Sequence, residues 1–319
     1  MSKQVFCTLF DKNYLPQGLS LYYSLKKFAD KNFCLYILCL DQLTHDYLQK
    51  LEHKNVELIK LSSVESAYPD LLSSKNNRSL IEYYFTLSPF LPLYILEYFE
   101  EPIVASLDAD LLFLSSPETL FLELGKKSIY IVPHRFRSNQ SHLKKSGIYN
   151  VQCQIFKNDS TGLTCLRTWS RQCLDWCFDK YENGKFADQK YLDNWPITYR
   201  DQIVVSSNIG VGVAPWNVEG EQISYVKNHF YINSKPIIFY HFHGLKVLNR
   251  FLIKLGLRTY GTKPNKDLLK LYKDYINLIF SNGVLKKTKN IRTGGYSKLH
   301  LIASTIKNKD FLIKFSNIF

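Results

Sequence analysis

The sequence predicts an α/β protein built on a parallel β-sheet with helices on its faces. Up to Asp110, short apolar runs typical of buried strands alternate with segments in which apolar residues recur at helical spacing. Such alternation of strands and helices favours a parallel sheet. The chain has 319 residues and is 45% apolar, which is enough for one large domain or two small ones. Disordered and fibrous proteins are therefore excluded.

The first elements follow directly from this pattern. Apolar runs of strand length predict the first three strands at residues 4–10, 33–40 and 56–61. Between these strands, apolar residues recur at helical spacing and predict two helices. The first follows Pro16, a residue type that is common at helix starts, and the second lies around Leu48. The beginning of the chain is therefore interpreted as β-α-β-α-β.

The later elements are less regular. Further along the chain, the pattern predicts two helices within residues 80–98 that separate at Ser88-Pro89, a fourth strand at 102–107, short strands at 111–114 and 128–133, a long helix at 161–180, and a last strand at 236–240 that runs into His241. The fourth strand ends at Asp108.

The positive charge lies almost wholly at the C-terminal end. The formal net charge is +13, and the chain from Leu245 onwards carries 16 Lys and Arg against three Asp and Glu. The first 244 residues are nearly neutral. An acidic partner is therefore expected for the C-terminal segment and not for the body.

Helical spacing returns at residues 247–256 and 264–280. Arg250, Lys254 and Arg258 would share one edge of a basic amphipathic helix, and a lysine-rich arm follows Gly283. We expect a domain of residues 1–246 followed by a basic, partly helical extension of residues 247–319. This composition is typical of a segment that lies on an anionic membrane surface, whereas packing of the helix at 247–256 on the domain is the alternative.

The cysteines indicate a reducing compartment. There are seven, an odd number, and no Cys-x-x-Cys pair occurs. The N-terminal apolar run is too short for a signal-peptide core, and the apolar stretch at residues 80–99 contains two glutamates and two prolines. We therefore expect free thiols in a cytoplasmic protein without a membrane-spanning segment.

Asp108-Ala109-Asp110 is the first candidate site. It lies where an apolar strand ends, and open α/β sheets bind ligands just beyond the carboxyl ends of their strands. Two carboxylates separated by one residue can converge on a hard divalent cation. The alternative is a pair of exposed turn acids.

The second candidate site follows the last predicted strand. Alternate residues of an extended segment point the same way, so His241 and His243 could face one site. Gly244 would allow the backbone to approach a ligand, and Lys246 adds a cation that can neutralise phosphate. The alternative is a strand end with two ordinary histidines.

Together these motifs resemble a known group. The order strand, Leu107-Asp108-Ala109-Asp110-Leu111-Leu112-Phe113, and much later a strand followed by His-x-x-Gly and lysine, is similar to nucleotide-sugar-dependent glycosyltransferases of the GT-A fold. The glycogenin and bacterial lipopolysaccharide glycosyltransferase group is the most similar, over about residues 4–246. Two departures are present: only Leu245 separates Gly244 from Lys246, and Gln152 replaces the glycine of an Asn-x-Gly motif.

The resemblance implies a mixed, Rossmann-like sheet and a set of site residues. Metal and diphosphate binding by Mn²⁺ (or Mg²⁺) would fall to Asp108, Asp110 and His241. The donor nucleotide sugar would be bound by Thr8, Phe10, Asp11, Tyr14, Arg78, Asp108, Ala109, Asp110, Gly244 and Lys246. Asp188 and Gln189 would contact the donor sugar and its reactive face, as the catalytic pair. For Asp188, a helix N-terminal acid is the alternative.

The implied activity is metal-dependent transfer of a sugar, with retention of configuration, from a nucleotide-diphosphate donor such as a UDP-sugar. The acceptor would be a saccharide or glycolipid, as in polysaccharide biosynthesis. Two alternatives stay open. A sugar-1-phosphate nucleotidyltransferase would usually carry a Gly-rich basic loop after the first strand, which residues 8–18 lack. A phosphate- or nucleic-acid-binding protein would use the basic extension, although no nucleic-acid module is recognisable.

Overall fold

The computed structural model describes residues 3–248, 252–282 and 310–313. These residues form two compact units built from interleaved segments. The first unit consists of the described residues of Met1–Lys12, Leu25–Ala109 and Ser116–Asn208, and the second of those in Asn13–Ser24, Asp110–Ser115 and Ile209–Phe319. None of the helices in the described ranges combines the length and apolarity that crossing a membrane requires.

The strands are numbered along the chain. They are β1 (Val5–Phe10), β2 (Cys34–Cys39), β3 (Val56–Lys60), β4 (Ile103–Leu107), β5 (Leu111–Phe113), β6 (Ile129–Pro133), β7 (Tyr149–Lys157), β8 (Ile203–Val205), β9 (Ile223–Val226), β10 (His229–Ile232), β11 (Lys235–Pro236), β12 (Phe239–His241), β13 (Lys246–Val247), β14 (Leu252–Lys254) and β15 (Phe311–Ile313).

The α-helices are numbered in the same way. They are α1 (Leu15–Phe28), α2 (Gln42–Gln49), α3 (Leu61–Ala67), α4 (Asp70–Ser74), α5 (Leu80–Leu87), α6 (Phe90–Tyr98), α7 (Glu118–Leu124), α8 (Ser160–Asp175), α9 (Trp195–Thr198) and α10 (Lys266–Ser281). Within the described ranges, 3₁₀ helices span Ser138–Ser146, Gln189–Asn194 and Arg258–Tyr260.

The first unit contains a mixed sheet of seven strands in the order β3-β2-β1-β4-β7-β6-β8. β1 pairs in parallel with β2 and β4, and β2 pairs in parallel with β3. This confirms the predicted β-α-β-α-β beginning. β7 runs antiparallel to both β4 and β6, so the sheet is mixed, as the resemblance implies. All six residues of β2 are buried, because helices cover both faces of such a sheet.

The predicted pair of helices before β4 is confirmed, and local capping explains it. α5 begins with a capping box, in which the Ser79 side chain accepts from the Glu82 amide and the Glu82 carboxylate accepts from the Ser79 amide. α5 ends at Leu87, and α6 starts after Pro89. α6 is buried along most of its length in the core of the first unit.

The second unit contains three small sheets and α10. β5 pairs with β12, β9 to β11 form a meander, and β13, β14 and β15 form the third sheet. Its core includes Phe242, Leu268 and Tyr272, so α10 packs in the same cluster as residues that precede position 246. The predicted boundary at residue 246 thus does not coincide with the end of a hydrophobic core.

The predicted helix at residues 247–256 is wrong. β13 pairs antiparallel with β14, and β14 pairs antiparallel with β15. Lys254 therefore lies in a strand and Arg258 in a 3₁₀ helix, so the basic helix edge does not form, and Arg250 lies outside the described residues. The reason is non-local: the backbone groups of β14 are satisfied by a partner strand more than 50 residues later in the chain. The lysine-rich arm also lies outside the described residues.

Smaller differences concern other elements. β7 was not predicted, because Gln152 and Gln154 interrupt its apolar pattern although both are buried. The long helix ends at Asp175, where Trp176 becomes extended, and not at residue 180. The predicted last strand is divided into β11 and β12, and the helix predicted at 264–280 is confirmed as α10. All seven cysteines are free and buried.

Candidate metal and nucleotide site

The Asp-x-Asp segment links two strands that belong to different sheets. β4 ends at Leu107, and the amide of Asp108 donates to the Gln152 carbonyl at 3.0 Å. β5 begins at Leu111 and pairs antiparallel with β12, which places Leu111 opposite His241. The Phe242 amide donates to the Asp110 carbonyl at 3.0 Å. Strand pairing, and not proximity in sequence, therefore joins the two predicted motifs.

Asp110 and His241 are in direct contact. Oδ1 of Asp110 lies 3.1 Å from Nε2 of His241, and the His241 side chain is almost fully buried. Asp108 lies two residues before Asp110 on the same chain segment, and one ligand atom from each of the three side chains lies within 4.8 Å of the others. Two carboxylates suit Mn²⁺ or Mg²⁺, which prefer oxygen ligands, and the additional imidazole favours Mn²⁺ of the two.

The electrostatics of this cluster favour an ionised carboxylate. Burial opposes ionisation of Asp110, but His241 and, more weakly, His243 lower its pKa. The pKa of His243 is lowered to about 4, first by desolvation of its ring and then by the neighbouring His241, although the residue as a whole is exposed. At neutral pH, Asp110 is therefore an anion beside a neutral His243.

An aromatic wall supports the two histidines. The buried Trp216 makes edge contacts with His241, His243 and Tyr260, with ring centroids 5.3, 5.6 and 5.6 Å apart. Such contacts restrict the orientation of the imidazoles. No local signal in the sequence indicates Tyr260.

The loop after His241 approaches a second turn closely. Gly244 has φ +78°, and a Cβ there would lie 3.5 Å from the Cα of Gly256. Lys246 opens β13 opposite Lys254 and is half-buried. Its pKa is lowered, chiefly by burial and also by Lys254. An anionic ligand bound here would stabilise the positive charge of Lys246 against the repulsion from Lys254.

The predicted nucleotide loop follows β1. Thr8, Phe10 and Asp11 are buried at the carboxyl end of this strand, and the Thr8 hydroxyl has no hydrogen-bond partner among the described residues. Tyr14 lies just before α1 and is 37% exposed. Their role in binding the nucleotide stays a prediction.

Arg78 makes contacts within the first unit. It is buried, and its guanidinium donates to the Thr86 hydroxyl at 2.8 Å and to the Leu174 carbonyl at 2.5 Å. It also lies over the ring of Phe178. These contacts join two helices, and its predicted role in donor binding stays a prediction.

Asp188 and Gln189 lie at the start of a 3₁₀ helix in the first unit. Asp188 is 2% exposed, and burial raises its pKa to about 6, although a Ser88 hydrogen bond partly opposes this. One of its carboxylate oxygens has no hydrogen-bond partner among the described residues. The Gln189 amide donates to the Ser146 carbonyl at 2.7 Å. Their predicted catalytic role likewise stays a prediction.

Comparison with known proteins gives relatives and a fold. No protein-family model matches the chain. Two proteins of Bacillus subtilis (strain 168), both named as uncharacterized, are similar: YfnF is 31% identical over 253 residues, covering 76% of this chain and 82% of YfnF, and YfnD is 29% identical over 252 residues, covering 78% and 80%.

Solved glycosyltransferases share the fold. The galactosyltransferase LgtC, solved with donor and acceptor sugar analogues, superimposes with a TM-score of 0.54 at 14% identity, over 91% of this chain and 98% of its own. Mouse xyloside xylosyltransferase 1 in its apo form gives 0.50 at 14% identity, over 76% and 98%. The predicted GT-A glycosyltransferase fold is therefore confirmed.

Proposed function

This chain belongs to the same family as YfnF of Bacillus subtilis, and from that premise and its GT-A fold we propose that it is a metal-dependent glycosyltransferase. It would move a sugar from a nucleotide-diphosphate donor, such as a UDP-sugar, to a saccharide or lipid-linked saccharide. The observation that carries this proposal is the contact between Asp110 and His241 beside Asp108.

The chemistry of the cluster fits the leaving group of such a reaction. When a sugar leaves a nucleotide diphosphate, negative charge grows on the β-phosphate. A bound Mn²⁺ or Mg²⁺ would act there as a Lewis acid. Asp108, Asp110 and His241 would hold this ion, and Gly244 and Lys246 would bring a backbone amide and a cation to the same phosphate.

The remaining site residues would bind and orient the donor. Thr8 and Phe10 lie in the second half of β1, and Asp11 and Tyr14 follow this strand at the edge where α/β sheets bind ligands, so they would line the nucleotide. Asp188 and Gln189 would hold the sugar and its reactive face, and Arg78 would support the donor site through the helices that it joins. We also propose that the transfer retains the anomeric configuration of the donor sugar.

Metal-dependent binding of UDP tests the proposal. UDP is titrated calorimetrically with and without Mn²⁺, and the wild-type protein should bind UDP more tightly when the metal is present. We call this gain in affinity the metal increment. Asp110→Ala should abolish it, and Asp108→Ala and His241→Ala should strongly reduce it. His243→Ala is the matched control, since it removes a neighbouring imidazole outside the cluster. A metal increment that survives in all three variants, or that only His243→Ala removes, would contradict this assignment.

A separate assay can identify the donor sugar. Purified protein with Mn²⁺ would be incubated with a panel of nucleotide sugars, and release of the nucleoside diphosphate would be followed. Turnover of one donor, lost in Asp110→Ala, is the expected result. Absence of turnover with every donor and with saccharide acceptors present would count against a transferase.

The basic C-terminal segment is the basis of a proposed cellular location. From Gly283 onwards it contains eight Lys and Arg and one acidic residue, Asp310. We propose that the protein works in the cytoplasm and that this charge attracts it to an anionic membrane surface, where a lipid-linked acceptor would be found. The overturned helix at 247–256 does not contribute to this proposal.

A further inference from the structure

Tyr275 on α10 supports the loop that carries the two histidines. Its side chain is fully buried, and its ring stacks on that of Phe242, with centroids 3.8 Å apart and planes 12° apart. Phe242 lies between His241 and His243 in the chain, and its amide donates to the Asp110 carbonyl. The Tyr275 ring thus packs directly on the residue between His241, a candidate metal ligand, and His243.

The hydroxyl of Tyr275 has no hydrogen-bond partner among the described residues, although it is buried. An unpaired buried hydroxyl costs free energy, so native proteins rarely retain one without a reason. Tyr272, one turn earlier on α10, shows the usual arrangement: its buried hydroxyl shares a hydrogen bond with the Tyr240 hydroxyl at 3.2 Å. A phenylalanine would fill the place of Tyr275 equally well if only packing mattered.

The groups that act on this hydroxyl belong to the proposed donor site. Burial raises the pKa of Tyr275 well above its ordinary value, and the Asp110 carboxylate and the Tyr14 hydroxyl contribute further. The phenol therefore stays protonated and can donate. Asp110 is a candidate metal ligand, and Tyr14 is predicted to line the nucleotide, so the hydroxyl lies within electrostatic reach of both parts of the proposed donor site.

We propose that Tyr275 is a further ligand-binding residue, whose hydroxyl donates a hydrogen bond to an oxygen of the metal–diphosphate group. This inference rests on the proposed function and adds to it a residue from beyond the sequence-predicted domain boundary. The oxygen belongs either to a metal-bound water or to a phosphate. The Tyr275 hydroxyl, which lacks a partner within the described part of the chain, is then a preorganised donor whose partner arrives with the ligand.

Tyr275→Phe and Tyr272→Phe form a matched pair of variants on the same helix. UDP affinity is measured calorimetrically in the presence of Mn²⁺, Mn²⁺ is titrated alone, and the free energy of unfolding is measured in urea. Tyr275→Phe should weaken UDP binding by about tenfold and leave the free energy of unfolding unchanged or higher, because no internal hydrogen bond is lost. Tyr272→Phe should lower stability and leave UDP affinity unchanged.

The titrations with Mn²⁺ alone and with UDP plus Mn²⁺ distinguish the two possible acceptors of the Tyr275 hydrogen bond. Weaker binding of Mn²⁺ alone to Tyr275→Phe would assign the bond to a metal-bound water, whereas a loss only with UDP would assign it to the diphosphate. Wild-type affinity in Tyr275→Phe would overturn the inference and leave the proposed function intact. A loss of stability equal to that of Tyr272→Phe would overturn it also, since the hydroxyl would then have a partner within the protein. Failure of the wild-type protein to bind UDP with Mn²⁺ would overturn both.

Discussion

Substitution of Gly256 should damage the candidate site although Gly256 is not itself one of the predicted site residues. Gly256 has φ +82°, and a Cβ placed there would lie 2.7 Å from the His243 carbonyl oxygen and 2.8 Å from the carbonyl carbon of Gly244. Both neighbours are backbone atoms, which cannot rotate away as a flexible side chain would. Gly256→Ala must therefore displace the backbone of the histidine loop or its own turn.

Gly261 provides a matched control. It has φ +70°, and a Cβ there would meet no atom within 4 Å. Gly261→Ala thus incurs only the cost of a left-handed conformation, about 1–2 kcal/mol. Gly256→Ala incurs the same cost and in addition that of forcing a methyl group into a packed space, about 1–3 kcal/mol. The expected totals are about 1–2 kcal/mol for Gly261→Ala and about 2–5 kcal/mol for Gly256→Ala.

Urea unfolding followed by circular dichroism measures both free energies, and calorimetry measures UDP affinity with Mn²⁺. Gly256→Ala should lower stability more than Gly261→Ala and should also weaken UDP binding, because the displaced backbone lies next to His241. Gly261→Ala should bind UDP as the wild type does. Equal losses of stability in the two variants, together with unchanged UDP affinity, would refute the close approach between these turns.

Three further predictions concern other parts of the chain. The pKa of Asp188 is raised from 3.8 to about 6, so between these values the folded protein holds the extra proton, and ionisation of this carboxyl lowers stability as the pH rises. Asp188→Asn removes this loss, and its stability in urea relative to the wild type should increase by about 2 kcal/mol between pH 4 and pH 7. A pH-independent difference would contradict the burial of a titrating group. Asp310→Ala should lower the free energy of unfolding by about 1–3 kcal/mol, because its carboxylate accepts from the amides of Gly256, Leu257 and Arg258, whereas Asp274→Ala, which breaks only an exposed ion pair with Lys270, should cost less than about 1 kcal/mol. Replacement of Lys286, Lys287 and Lys289 by glutamine should reduce co-sedimentation with anionic vesicles at low salt; this avoids removing β15, as truncation would, and unchanged sedimentation would exclude these lysines from membrane attachment.

Local patterns in the sequence were sufficient for the first half of the main sheet. β1 and β2 are continuous or nearly continuous apolar runs, because they are buried on both faces, and β4 is mostly apolar, whereas the edge strand β3 keeps Glu57 and Lys60 exposed. Helical spacing separates these strands along the chain. The Asp-x-Asp motif was recognisable for a similar reason, since it follows β4 immediately. Candidate site residues that directly follow a predicted strand can be recognised from the sequence alone.

Elements that depend on distant partners were not predictable. β7 carries buried glutamines that break its apolar pattern, and β14 has helical spacing but is a strand because β13 and β15 pair with it on either side. Local sequence patterns do not reveal either strand, because cross-strand hydrogen bonds connect residues that are far apart in the chain. The expected basic helix failed for this reason.

Local patterns along the chain were enough to predict the fold class, the Asp-x-Asp motif and the two candidate histidines. The histidine that contacts Asp110 could be identified from the folded protein alone, because pairing of β5 with β12 sets that register. The tertiary structure also decided that Trp216 packs against His241 and that Tyr275 stacks on Phe242 with an unpartnered hydroxyl among the described residues. Periodicity reports which face of an element is buried, whereas the identity of the neighbour on that face depends on how the chain returns to it.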